Sequence, residues 1–247
     1  MTITAMELIA REMLPEMDKH LMAAPEANLI GVKVLNSTGS GSLQTIMQGI
    51  EWCIQYNETH PGKKIHVLSM SLGAEPERYE NEDKDPLVQY VEHAWDSGIM
   101  VCVAAGNEGP EPNTIASPGI SDKVLTVGAL DDRDTMETRM DDDVAEFSSR
   151  GPTIYGVPKP DILAPGVDIV SLRSPNSYLD RLQKSNRVGS PYFVLSGTSM
   201  ATPIVAGIAA LMLQYNPNFT PDEMKQRLLA KADLGKIAIP MCTAPDM

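Results

Sequence analysis

The sequence predicts an α/β fold, a mostly parallel central sheet with helices on both faces. Three observations predict it. Short apolar, β-branched runs alternate with segments whose apolar residues recur at helical spacing. Gly- and Ser-rich turns follow the strand-like runs, where an open parallel sheet forms its ligand crevice. Hydrophobic residues fill 43% of 247 positions, enough to cover both faces of a sheet in one domain.

The elements follow in order. The run 27–35 (ANLIGVKVL) reads as a buried strand, and 42–56 as an amphipathic helix. A strand is expected at 65–72 (IHVLSMSL), a helix at 87–96, and strands at 100–105 and 124–130. Two short strands are expected at 169–172 and 192–195. A long apolar helix spans 199–215, and its Ala and Gly residues permit close packing. The last helix, 221–230, has Thr220 as N-cap and Pro221 in its first turn.

Charge narrows the function classes. The formal net charge is −13, which disfavours nucleic acid as a partner. Acidic residues concentrate at 80–85 and 131–143. These runs read as solvated loops. Structural calcium is the competing reading, but neither run has EF-hand spacing, so no ligand is assigned. Cys53, Cys102 and Cys242 are too few for a disulfide framework and suit a reducing compartment. No run of eighteen apolar residues predicts a membrane span, and no signal peptide is visible.

Four small-residue segments end strands. Gly39, Ser40 and Gly41 follow the first strand, and Ser71, Leu72 and Gly73 the second. Ala104, Ala105, Gly106 and Asn107 follow the third. Each alone is compatible with an ordinary turn. Together they would line one crevice with backbone, which suits an extended peptide held by main-chain hydrogen bonds. The fourth segment is 196–203 (SGTSMATP). There Ser199 would open the long helix, with its hydroxyl facing the crevice and the helix dipole favouring developing negative charge. A plain N-cap is the competing role for Ser199. Asn107 would bring an amide donor to the same place, with an Asn in a turn as its alternative.

These residues resemble a known family. GTSMATP at 197–203 is similar to the nucleophile motif of the subtilases, the subtilisin-like serine proteases of peptidase family S8. VAAGNEG at 103–109 resembles their oxyanion-hole segment, and SMSLG at 69–73 and GSG at 39–41 their substrate-binding strands. FSSRGP at 147–152 and DILAPG at 161–166 are also family-like. The likeness covers about 24–233 and is nearest to the intracellular, AprX-like branch of bacilli. It implies a bacterial, cytoplasmic serine endopeptidase acting on polypeptides, with no cofactor for the chemistry. It implies Ser199 as nucleophile and Asn107 as oxyanion donor. Ser71 to Gly73 and Ala104 to Gly106 would form the pocket walls for the side chain before the scissile bond. Those small walls leave room for a large apolar side chain. Gly39 to Gly41 would pair with the peptide backbone.

The family order is Asp, then His, then Ser, and neither of the first two motifs is present here. The four histidines are His20, His60, His66 and His93. Of these only His20, beside Asp18, lies near the expected place, in no family motif. Reverse translation of 1–23 in a frame shifted by one base permits HGTH, one free position, then Ala-Gly. The same shift in 234–247 permits Tyr-Gly-Ala-Gly-Tyr. The expectation is therefore three stretches: an atypical, frameshifted 1–23, a partial catalytic domain at 24–233, and an atypical, frameshifted 234–247. The fold would be truncated at its N-terminus and the chain crippled as an enzyme. The alternatives are a non-catalytic peptide-binding remnant and a hydrolase with an improvised base such as His20. Loss of a central strand would bare sheet edges and favour self-association.

Overall fold

A computed structural model describes residues 3–7, 23–135 and 138–233. Seven strands form the main sheet. They are β1 (Ile3–Glu7), β2 (Asn28–Val32), β3 (Ile65–Met70), β4 (Met100–Ala104), β5 (Leu125–Asp131), β6 (Asp143–Val144) and β7 (Ile162–Pro165). Pairs β3–β4, β4–β5 and β5–β7 are parallel. β1 lies antiparallel to both β2 and β3, so those two run the same way. β6 is antiparallel to β5. Five strands thus share one direction, as the sequence predicts for a mostly parallel sheet. Every residue of β4 is buried, so both faces are covered at the centre.

Helix α1 (Leu43–Thr59) starts at Ser42, whose hydroxyl accepts from the Thr45 N–H. Helix α2 (Pro86–Asp96) is capped by the buried Asp85. A short helix, α3 (Tyr178–Leu182), lies between the first two strands in chain order of a second, three-stranded antiparallel sheet. That sheet orders β8 (Ile169–Leu172), β10 (Tyr192–Leu195) and β9 (Arg187–Val188). Asp180 braces the excursion by accepting from the guanidinium groups of Arg173 and Arg187. Helix α4 (Thr198–Tyr215) packs over β3, β4, β5 and β7. By length and composition α4 could cross a membrane, but here it is a core helix of the fold. Helix α5 (Pro221–Lys231) opens with a full capping box between Thr220 and Glu223. Trp95 Nε1 donates to Asp222 Oδ1 at 2.9 Å and ties α2 to α5.

One expectation needs correction. The sequence suggests bare strand edges inside the sheet, yet β1 fills the space between β2 and β3. A strand of either direction can satisfy both neighbours' N–H and C=O groups, so β1 closes the gap in reverse. The outer edge is then β2, where Leu29 is 55% exposed.

Candidate active site

Helix α4 begins at Gly197, an N-cap with no side chain to meet the orphaned N–H groups of the first turn. Asn107 meets one of them from another loop. Its Oδ1 accepts from the Thr198 N–H at 2.9 Å and lies 3.1 Å from the Thr198 hydroxyl. An N–H can only donate, so the atom facing it is the amide oxygen, and Nδ2 with its two protons is turned the other way. Ser199 is the second residue of the helix and not its N-cap, which removes the competing reading of that serine. It is 9% exposed, and its hydroxyl makes no hydrogen bond among the described residues.

The position of Ser199 is fixed through its backbone. Pro203 has no N–H for the carbonyl four residues back, which is that of Ser199. Ser71 Oγ donates to this carbonyl at 2.8 Å and so links the end of β3 to the first turn of α4. Gly197 N–H donates to Gly166 O at 2.8 Å. A Cβ on Gly166 would sit 2.6 Å from the Ala129 Cβ, so this approach demands glycine.

The loop carrying Asn107 is built as tightly. Gly106 has φ +110°, and a Cβ there would meet Ser149 Oγ at 2.7 Å. Ser149 N–H donates to Gly106 O at 3.0 Å, and Ser149 Oγ accepts from the Glu108 N–H at 3.1 Å. The FSSRGP segment is thus a buttress for the Asn107 loop. Thr198 and Ser149 are positioning residues that sequence reasoning did not single out. Their signal was their place inside quoted motifs; their partners, 91 and 41 residues away, gave none.

Asn107 and Ser199 share a cleft of about 1000 Å³ with Gly39, Ser40, Gly41, Ser71, Leu72, Gly73, Ala104 and Gly106. The expected site residues therefore converge, with two corrections. Ala105 is fully buried in a small cluster with Val88, Ile115 and Ile120 and does not line the cleft. Alternation along the extended chain turns its side chain to the opposite face. Ser40 lines the cleft, but its backbone N–H and carbonyl are both already engaged within the loop. Its N–H donates to Asn36 Oδ1 at 3.0 Å and its carbonyl accepts from the Asn36 N–H at 2.8 Å. Among the described residues, the backbone groups of Gly41, Leu72 and Gly73 on the two sides of the cleft take no hydrogen-bond partner.

No described histidine lines the cleft. His60 stacks on Tyr56 in α1 with ring centroids 4.1 Å apart. His66 lies in β3, and His93 is exposed on α2. His20, Asp18 and Cys242 lie outside the described residues. Burial pushes the thiols of Cys53 and Cys102 up to about 12, so neither is a competing nucleophile at neutral pH. Among the described residues no group of His, Cys, Asp or Glu is arranged to hold a metal ion.

The model of the Subtilase family, Peptidase_S8, matches residues 8–241. The chain is 67% identical to Serine protease AprX of Bacillus subtilis (strain 168) over 213 residues, which is 86% of this chain and 48% of that protein. It is 36% identical to Subtilisin DY of Bacillus licheniformis over 214 residues, 86% of this chain and 63% of that one. The chain spans about half the length of the first of these relatives. Among solved structures it resembles Sphericase with a TM-score of 0.64 at 28% identity, over 82% of this chain and 59% of that one. The S41 Psychrophilic Protease gives a TM-score of 0.63 at 31% identity, over the same 82% and 59%. Its fold, its motifs and a family match along nearly its whole length agree: this chain belongs to the subtilase family.

Proposed function

We propose that this chain carries the peptide cleft, nucleophile and oxyanion donor of a serine endopeptidase, without the Asp and His that would activate the nucleophile. The observation that carries this reading is the Asn107–Thr198 clasp. It fixes the Asn107 amide by its oxygen to the residue before Ser199, in a cleft that both line and whose lining includes no imidazole among the described residues. Polypeptide segments are the substrates, held in extended form by the backbone of Gly41, Leu72 and Gly73, which takes no partner among the described residues. The chemistry requires no cofactor. Ser199 would attack a carbonyl carbon, and Asn107 Nδ2 would donate to the oxyanion that forms. Without a base the hydroxyl keeps its proton and attacks slowly. For this class of enzyme, triad loss costs on the order of 10⁶ in turnover and leaves roughly 10³–10⁴ over water, values measured on a relative. The out-of-frame origin of 1–23 and 234–247 belongs to the same proposal, and the encoding DNA tests it. Self-association through the outer edge of β2 also belongs to it.

A fluorophosphonate probe with a peptide-binding assay tests the function. The expected result is peptide binding with very slow labelling of Ser199. Rapid labelling lost in Ser199→Ala would overturn the crippled reading. If that rapid labelling also fell in His20→Ala, the improvised base would replace it.

A further inference from the structure

Asn36 does not line the cleft, yet it ties together a wall that does. Its Oδ1 accepts from the Thr38 N–H at 3.0 Å, the Thr38 hydroxyl at 2.7 Å and the Ser40 N–H at 3.0 Å. Backbone N–H groups only donate, so the atom at the centre of this knot is the amide oxygen. The main chain of Asn36 adds two bonds. Its N–H donates to Ser40 O at 2.8 Å, and its carbonyl accepts from the Gly39 N–H at 3.1 Å. A side-chain acceptor just upstream of its donors holds a turn by local bonds. Asn36 to Ser40 are all exposed, so packing contributes little to the shape of this loop. The knot ends where free backbone begins. Gly41 takes no hydrogen-bond partner among the described residues. Before it stands Ser40, with both backbone groups engaged. After it stands Ser42, whose hydroxyl accepts from the Thr45 N–H and starts α1. A Cβ on Gly41 would lie 2.6 Å from both Val34 O and Leu35 Cδ2, so the chain leaving β2 presses on it from behind.

We infer that Asn36 is a positioning residue for the bound peptide: it presents Gly41 as the point of main-chain pairing on this wall. The inference rests on the peptide-binding reading above and deepens it. Asn36 acts through the loop and touches no substrate. Main-chain bonds to an extended peptide add affinity when their protein partner is already in place, because ordering a loop on binding offsets the bonds gained. The knot needs an oxygen acceptor at one distance from the backbone of residue 36. Asp supplies it, Gln carries it one carbon too far, and Ala has none.

The test uses the full chain carrying Ser199→Ala and the fluorescein-labelled peptide Ala-Ala-Ala-Ala-Leu, with affinity read by anisotropy. Asn36→Ala and Asn36→Gln should each weaken binding about tenfold, the worth of one or two main-chain hydrogen bonds. Asn36→Asp should bind like the parent, and unfolding midpoints check the fold of all three. A second set of peptides carries a methyl group on one backbone nitrogen at a time, which deletes one donor. Methylation of the nitrogen that faces Gly41 should cost the parent about tenfold and the Asn36→Ala chain almost nothing, because both changes remove the same pairing. Penalties at the other nitrogens should persist in both. Uniform weakening in Asn36→Ala with every methylation penalty intact would mark a merely structural role and overturn the inference. Unchanged affinity in Asn36→Ala, or failure of Asn36→Asp to restore it, would also overturn it. No binding of any peptide would overturn the peptide-cleft reading and this inference with it.

Discussion

Asn107 does two jobs with two ends of one amide. Its oxygen caps α4 through Thr198, and its nitrogen is left for the cleft. Substitution can separate them. Asn107→Ala loses both and should cost about 1–2 kcal/mol of stability, the usual range for a lost cap. Asn107→Asp keeps the acceptor and adds a charge that the helix dipole favours, so stability should hold. Affinity for a peptidyl aldehyde, which forms an oxyanion on reacting with Ser199, should fall in both variants. A fall in stability with Asp equal to that with Ala would show that the oxygen is not the cap. The residue types at this site were legible in sequence because they sit in motifs that resemble a family's, a hydroxyl that can attack in GTSMATP and an amide that can both accept and donate in VAAGNEG. The clasp itself was not legible, because Asn107 and Thr198 are distant in the chain and meet only when β4 and α4 pack.

At the scale of elements, Ser71 and Pro203 form a compensating pair around one carbonyl. Ser71→Ala leaves the Ser199 carbonyl without a donor and should cost about 1–2 kcal/mol. In a Pro203→Ala background the restored N–H can reach the same carbonyl, so the cost should fall toward zero. A double-mutant cycle on urea midpoints reads this coupling, and additivity of the two substitutions would refute it. Most element positions followed from periodicity. α1, α2, α4 and α5 all appear within a few residues of expectation. Several elements escaped, the five-residue helix α3 among them. β7 lies in DILAPG, whose Pro165 and Gly166 read as loop punctuation. β6 and β9 have two residues each, too few to show any period. β1 opens with the β-branched pair Ile3-Thr4 but shows no clean alternation over its five residues, too weak a pattern to predict a strand.

Across the whole molecule, Lys159 joins the sheet to the last helix. It is almost fully buried, donates to Val124 O and Asp161, and shares Asp161 with Lys225 of α5. Burial pushes its ammonium down to about 8, against the pull of Asp161. Unfolding returns it to the ordinary lysine range near 10.4. Between those values the unfolded chain holds more protons, so stability from this group rises with pH. The penalty is fully present below pH 8 and is relieved as pH approaches 10. Relative to Lys159→Met, the parent chain should gain up to about 3 kcal/mol across that window. Denaturant midpoints at pH 7 to 10 measure the difference, and a flat gap would refute the assignment. The charged core network was not foreseeable, since a lone lysine in KPDILAPG reads as surface.

The reversed strand β1 has a further consequence, one of timing. Ile3 pairs with Val32 on one side and Met70 on the other. A chain made from its N-terminus at about 5–20 residues per second holds β1 ready for on the order of ten seconds before its second neighbour exists. The units of β3, β4, β5 and β7, linked through nearer stretches of chain, can assemble without it. β1 therefore precedes both of its neighbours in the chain and can be enclosed only after β3 has been made.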